Sequence, residues 1–398
     1  MTSKATVNVN AWHTSILIYF VVFGMGMSSL MVRLPEVRRL VDVSTAELGI
    51  ILFIGSIGSI ISVTQAGRII ARVGTRFAII FGITAVTLGL VGQAAFIVNH
   101  SPFGYALFAL LTGLGAGLGD VGINVDGSAI ETATGKTALP KMHAGFSIGT
   151  FVGAGLGTLA TMANFSILLQ MVILAVINFG LPLLTAKHIP NGTGIETKRA
   201  NNSEPKVAKE NLWADRRIIF LAMGILGITL AEGASNDWLT IALVDDFKQT
   251  STVAGIGYAV LLGAMTLVRF FGGNLADKFG KARTLQVCAA TGIAGLLLII
   301  LSHNIYAAFI GAALWGCGVA LGFPLFLSAA GEGENSARKV GFVASSGYLA
   351  FLVGPPLLGF LGQIWGVTNM FFMIAGFLLI TILFASGAGN KKGSGSGH

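Results

Sequence analysis

Gly273-Asn-Leu-Ala-Asp277-Lys278-Phe-Gly280-Lys281-Ala-Arg283 is a short charged, glycine-bearing stretch wedged between two long apolar runs. An echo of it stands at Gly67-Arg68-Ile-Ile-Ala71-Arg72-Val-Gly74-Thr-Arg76. Each copy falls between the second and third apolar segments of its half of the chain. Two copies of one turn in matching places imply a tandem duplication, so the chain reads as two bundles built to one plan.

Composition around these turns excludes a soluble globule. Hydrophobic residues make up 54% and charged residues 11%, with a mean hydropathy of +0.80, where soluble domains carry about 25% charge. Most of the 55 glycines lie inside apolar runs, where small residues let helices pack closely. The net charge of +8 sits mostly between the runs, without an aromatic–basic surface beside it. That is a pattern of membrane topology and not of nucleic-acid binding. Cys288 and Cys317 fall in apolar runs and read as small buried hydrophobes. The first run is too long for a signal-peptide core, and the final Gly-Ser-Gly-Ser-Gly-His reads as an expression scar.

Apolar segments of about 20 residues cross a bilayer as helices. They fall near 12–33, 45–66, 76–98, 103–128, 141–163 and 165–187, then 216–241, 252–273, 283–302, 305–329, 339–362 and 366–387. The expectation is an all-α membrane protein: an N-terminal six-helix bundle (1–187), a flexible cytoplasmic linker (188–215), a C-terminal six-helix bundle (216–388) and a tail (389–398). Of the 25 Lys and Arg, twenty fall in loops and tails that are cytoplasmic if the N-terminus is. Four (Arg33, Arg38, Arg39, Lys248) fall outside, and Arg269 lies within a span. Basic residues gather on the cytoplasmic side, so both termini are expected there. The sequons at Asn191 and Asn201 are then cytoplasmic and are discounted.

Twelve spans, a central linker and a repeated turn resemble the major facilitator superfamily over nearly the whole chain. The turn is similar to that family's signature, roughly Gly-x-x-x-Asp-Arg-x-Gly-x-Arg, through Gly273, Asp277, Lys278 and Gly280. The first copy departs, with Ala71 where the acid belongs. The resemblance implies the major facilitator fold: two six-helix halves flanking a midplane cavity and rocking to expose it to alternate sides. The runs Gly-Asp120-Val-Gly-Ile-Asn124-Val-Asp126-Gly, Met-His143-Ala-Gly-Phe-Ser147-Ile-Gly149 and Ala-Glu232-Gly-Ala-Ser-Asn236-Asp237-Trp238 resemble a bacterial inner-membrane subgroup related to fucose permease. That narrower resemblance implies a small polar solute.

A charged side chain near the bilayer centre costs about 2.5–3.5 kcal/mol, so each one needs a reason. Glu232 lies roughly 22 Å into the seventh span at 1.5 Å per residue, and Asn236, one turn on, shares its face. A lone buried carboxyl there suits binding and releasing a proton; a fixed interhelical ion pair is the plain alternative. In the fourth span Asp120, Asn124 and Glu131 lie within about 40° of one another, a polar stripe running toward the cytoplasm. Asp126 is expected to point elsewhere, nearer the surface. Asp120 serves either the cavity or a pairing with the 67–76 turn, and Asn124 either solute or packing. In the fifth span His143, Ser147, Thr150 and Ala154 share a face suited to a water-filled cavity. His143, toward its cytoplasmic mouth, titrates near neutrality and suits a proton-exit step, or is simply interfacial. Trp238, Trp315 and Tyr348 either stack on a ring-shaped solute or anchor and pack.

Gating candidates lie nearer the surfaces. Glu131 ends the fourth span and Glu332 the tenth, beside the two turns, where Arg72 or Arg76 and Lys281 or Arg283 are expected partners. The resemblance makes these an inner charge relay; solvated surface charge is the alternative. Arg269, in the last turn of the eighth span, needs a partner if buried, with Asp277 or a helix end nearest in sequence. It reads as structural or gating ahead of anion binding. In the family's geometry Asp277 meets a helix N-terminus of the opposite half beside His143, and with Ala71 in the first copy only one of two latches is complete. Outside, the stretch from Arg33 to Arg39 with Asp237, Asp245 and Asp246 forms an expected outer gate. Gly354-Pro355-Pro356 predicts a bend in the eleventh span.

The function these readings give is secondary active transport: proton-coupled symport of a small polar solute by alternating access, with a proton-driven exporter as the alternative. Its partners are the solute, protons and the lipid bilayer, with no nucleic acid, and it is expected to work as a monomer in the bacterial inner membrane. No cofactor is implied. The six histidines are scattered without ligand spacing, and no clustered nucleophile–base set marks an enzyme.

Overall fold

The computed structural model of the protein describes residues 8–136, 138–195, 211–332 and 336–389. Most of the expected linker (196–210) and the tail from 390, with Lys198, Arg199, Lys206, Lys209, Lys391 and Lys392, lie outside the described residues, as does Lys4. Every regular element among the described residues is helical. The first seven helices are α1 (Val9–Met31), α2 (Leu34–Val41), α3 (Thr45–Val73), α4 (Thr75–Val98), α5 (Pro102–Thr134), α6 (Leu139–Met162) and α7 (Ile167–Thr185). The remainder are α8 (Arg216–Asp245), α9 (Ser251–Phe279), α10 (Lys281–Ser302), α11 (Ile305–Val319), α12 (Gly322–Ala330), α13 (Ser336–Trp365) and α14 (Val367–Phe384). Among the described residues twelve stretches are long and apolar enough to cross a membrane. The short α2 is not among them, and α11 and α12 share one.

The chain divides into two compact units, Met1–Val207 with Thr250–Ile256, and Ala208–Gln249 with Gly257–His398. In the first, α1 packs on α6 and α7, and α4 packs on α5 and α7. In the second, α8 packs on α13 and α14, and α10 packs on α11 and α14. Span for span these are the same pairings, so the duplication read from the two turns extends to how each half is packed. Small residues permit it: a Cβ on Gly149 of α6 would stand 2.0 Å from the Val21 carbonyl oxygen of α1. The outer faces stay apolar, with Phe103 80%, Val176 71% and Ile364 74% exposed, as a hydrocarbon solvent requires.

The stretch that decides the fold is more helical than a turn. α9 continues through Asp277 and Lys278 to Phe279, and α10 resumes at Lys281. The whole reversal is one residue, Gly280, at φ 81° and ψ 151°. Gly74, between α3 and α4, has φ 83° and ψ 165°. Only glycine occupies that region without strain, which is why the repeated signature keeps a glycine at both positions. Beneath the first joint Ala66, Ile70, Ala78 and Leu118 form a buried cluster.

Two expectations change here. Asp126 is not near the surface: it is fully buried and accepts a hydrogen bond from the Thr75 hydroxyl at 2.9 Å. Thr75, the residue just past the joint, puts a donor at hand, and burial of the carboxyl follows. The linker, expected to be flexible from 188, begins docked. Thr75 N–H donates to the Thr193 carbonyl at 2.9 Å and Arg76 donates to the Asn191 amide oxygen at 2.8 Å.

Candidate functional site

In the first half α5 and α6 bring three of the expected polar residues together. The Asn124 amide donates to Asp120 Oδ1 at 3.2 Å, one turn back along α5. The amide oxygen of Asn124 is 3.1 Å from His143 Nε2 on α6, and the imidazole ring packs edge-on to Phe20. A partly buried carboxyl within a span is thus tied through one amide to an exposed imidazole near the helix end. The geometry sets the roles. With its amide hydrogen on Asp120, Asn124 presents an oxygen, which calls for an N–H on His143 Nε2. A change of charge or tautomer at either end therefore disturbs the other.

The rest of the α5 stripe faces α6 as well. Glu131 Oε1 accepts the backbone N–H groups of Ala138 at 2.7 Å and Leu139 at 2.9 Å. The expected pairing with Arg72 or Arg76 is replaced by this cap, because the unsatisfied donors at the start of α6 are nearer and favour a carboxylate. Arg72 is exposed, and Arg76 goes to Asn191. The α6 stripe is only partly open. Ser147 and Ala154 are buried, and the Thr150 hydroxyl donates back to the Ser147 carbonyl at 2.8 Å.

In the second half the expected lone carboxyl is corrected. Arg269 of α9 stands 2.5 Å from Glu232 Oε1 of α8 and also donates to the Ala320 carbonyl at 3.1 Å. Arg269 does not turn to Asp277, which is exposed in the last turn of α9. Both charges lie within apolar spans, where an unpaired ion is costly, and they satisfy each other. Asn236 is held by Tyr258, whose hydroxyl donates to it at 2.9 Å. Trp238 and Trp315 are fully buried, and Trp315 packs edge-on to Phe371. Both sit in the core. Tyr348 stays half-buried against Phe323.

Glu332 does take part in a charge cluster. Lys281 and Arg217 each approach it to 2.6 Å, so Lys281 is the expected partner and Arg217 replaces Arg283, which is exposed. Burial would raise the Glu332 carboxyl, but hydrogen bonds from Lys281 and Arg217, with their charge, outweigh it and hold the group below the ordinary carboxylate range.

Two residues of the expected outer gate are held within their own halves. Arg33 is 1% exposed. It donates to both Glu36 carboxylate oxygens at 2.9 Å, to the Phe165 carbonyl at 2.8 Å and to Gln170 at 2.5 Å. It is a buried anchor joining the end of α1, α2 and the start of α7. Its signal in the sequence is an arginine on the unfavoured side with an acid three residues on. Asp246 accepts the Thr368 N–H at 2.6 Å, at the start of α14.

Comparison with known proteins agrees with this architecture. The family model described as Major Facilitator Superfamily matches residues 16–332 and 221–391. An uncharacterised MFS-type transporter of Yersinia pestis is 27% identical over 368 residues, 91% of this chain and 92% of that protein. A nucleoside transporter superposes with a TM-score of 0.75 at 14% identity, covering 95% of this chain and 99% of that one. The fucose:proton symporter of E. coli gives 0.66 at 17% identity, covering 95% and 98%. With its two like-packed halves and twelve apolar spans, this multi-pass membrane protein is a transporter and belongs to the Major Facilitator Superfamily.

Proposed function

We propose that the chain is a proton-coupled symporter of a small polar solute, working by alternating access in the bacterial inner membrane with both termini cytoplasmic. The observation that carries this reading is the chain of contacts from Asp120 through Asn124 to His143. It joins a carboxyl inside a span to an imidazole, and both side-chain types can bind and release a proton. Asp120 takes and releases the proton, His143 passes it at the cytoplasmic mouth, and Asn124 couples the two. Thr150, Asn236 and Tyr348 belong to the walls that a solute passes.

In the second half the Glu232–Arg269 pair takes the gating part, opening when Glu232 is protonated and Arg269 released. Glu332 with Lys281 and Arg217 steadies the cytoplasmic end. The names of two proteins sharing the fold support the solute class: one is a nucleoside transporter and the other a fucose:proton symporter.

The test begins with a thermal-shift screen of sugars, nucleosides, vitamins and drug-like cations on the purified protein. Hits go into proteoliposomes carrying an internal pH dye. An inward solute gradient should acidify the lumen in wild type and leave it unchanged in Asp120→Asn. Solute entry with no proton movement would overturn the reading, and proton movement opposite to the solute would make the protein an exporter.

A further inference from the structure

Asp237 has no part in the contacts described above. It lies on α8, eight residues before the helix ends at Asp245, or about 12 Å along the axis at 1.5 Å per residue. With both termini cytoplasmic, that end is the outer one. Half-buried, Asp237 lines a small cavity between α8 and α13, together with Gly233, Ala234, Ala350, Phe351 and Gly354. Among the described residues nothing donates a hydrogen bond to Asp237 and no cation pairs with it.

The neighbours supply no hidden partner. On α8 itself Glu232 is taken by Arg269. From α9 the titratable group near Asp237 is Tyr258, whose hydroxyl is committed to Asn236. The helices α12 and α14 carry no charged residue, and the titratable groups of α11 are Tyr306, exposed at its start, and Cys317. On α13 Tyr348 packs its ring against Phe323. The basic residues Arg338 and Lys339 of the same helix stand eleven or more positions before Ala350, toward its other end.

An ionised carboxylate left unpaired in such a place is costly, and neutralising it is the cheapest remedy. Size decides what neutralises it. The cavity has room for about one water molecule, which excludes an organic amine. A hard metal cation needs several oxygen ligands, and the wall supplies one carboxylate among apolar side chains. A proton delivered by a single water fits.

From this we infer that Asp237 is a second proton-carrying carboxyl, placed to load from the outer side and separate from the Asp120–His143 chain. Loading it changes the charge between α8 and α13 at the point where α13 carries Pro355 and Pro356, which lack backbone donors. The neutral form lets the two helices close on the cavity; the ionised form draws water into it.

This deepens the proton-coupling reading and rests on it, but its test needs no solute, so the two can fail separately. Infrared difference spectra of lipid-reconstituted protein are recorded as pH rises from about 6 to about 9, above the range of ordinary carboxyls. Wild type should lose a protonated-carboxyl band that Asp237→Asn lacks and Asp237→Glu shows at a shifted position. A titrating band undiminished in Asp237→Asn, or no such band in wild type, overturns the inference. Should Asp237→Asn not fold, dicyclohexylcarbodiimide, which modifies protonated carboxyls in apolar surroundings, is applied to wild type and mapped by mass spectrometry. Modification at Asp237 supports the assignment, and modification that spares Asp237 contradicts it.

Discussion

At the scale of single residues, backbone strain and buried charge each make a position sensitive to substitution. Gly280 sits at φ 81° with open space where a Cβ would project, nothing lying within 4 Å, so the cost of Gly280→Ala is backbone strain alone. That substitution should destabilise by about 1–3 kcal/mol, read as a lower midpoint in thermal unfolding in detergent. Gly74→Ala adds contact with Ile195 at 3.3 Å and should cost more. Arg33→Ala strands Glu36 and Gln170 inside the first half and should cost about 3–5 kcal/mol; an unchanged midpoint would show that Arg33 is not the anchor described. For Glu332 the sign follows from its lowered pKa. Its contribution is present above the ordinary value of 4.5 and is lost as pH falls through the lower folded value. The stability difference between wild type and Glu332→Gln should therefore hold steady above about pH 5 and close as the medium is acidified further.

Between elements the decisive contact is Glu232 of α8 with Arg269 of α9. Hydropathy places both helices, but neither residue's partner is legible from its own helix. Pairing depends on how two spans are rotated about their axes, and their residues lie 37 positions apart. Asp120 and Asn124 were legible together because i and i+4 share a helix face whatever the packing, whereas the arrival of His143 from α6 was not. Glu131 misled for a related reason. Its spacing indicated the correct face, and the competing backbone donors of α6 took it before any arginine. Glu232→Gln alone should leave Arg269 uncompensated and cost about 3 kcal/mol, while Glu232→Gln with Arg269→Gln should recover most of that loss. Equal stability of the single and double variants in a thermal-unfolding cycle would count against the pair.

At the scale of the whole molecule the sequence carried most of the fold. Twelve apolar stretches and two matched glycines mark the duplication, and the pairings within each half repeat it. The exact ends of the helices were not legible, because charged residues at the membrane surface look like loop while still completing helical turns, as in Asp277 and Lys278. Orientation is open to direct measurement. Lys248→Cys should react with a membrane-impermeant maleimide in intact cells, and Arg283→Cys only after permeabilisation; the reverse pattern would invert the topology.

The claim at the centre is that Asp120, tied through Asn124 to His143, couples protons to solute. It is tested most directly by comparing two fluxes of one transported solute in proteoliposomes holding wild type or Asp120→Asn. Uptake driven by a proton gradient should be lost in the variant, while exchange of internal for external solute, which needs no net proton transfer, should persist. Gradient-driven accumulation by Asp120→Asn equal to that of wild type would contradict the account.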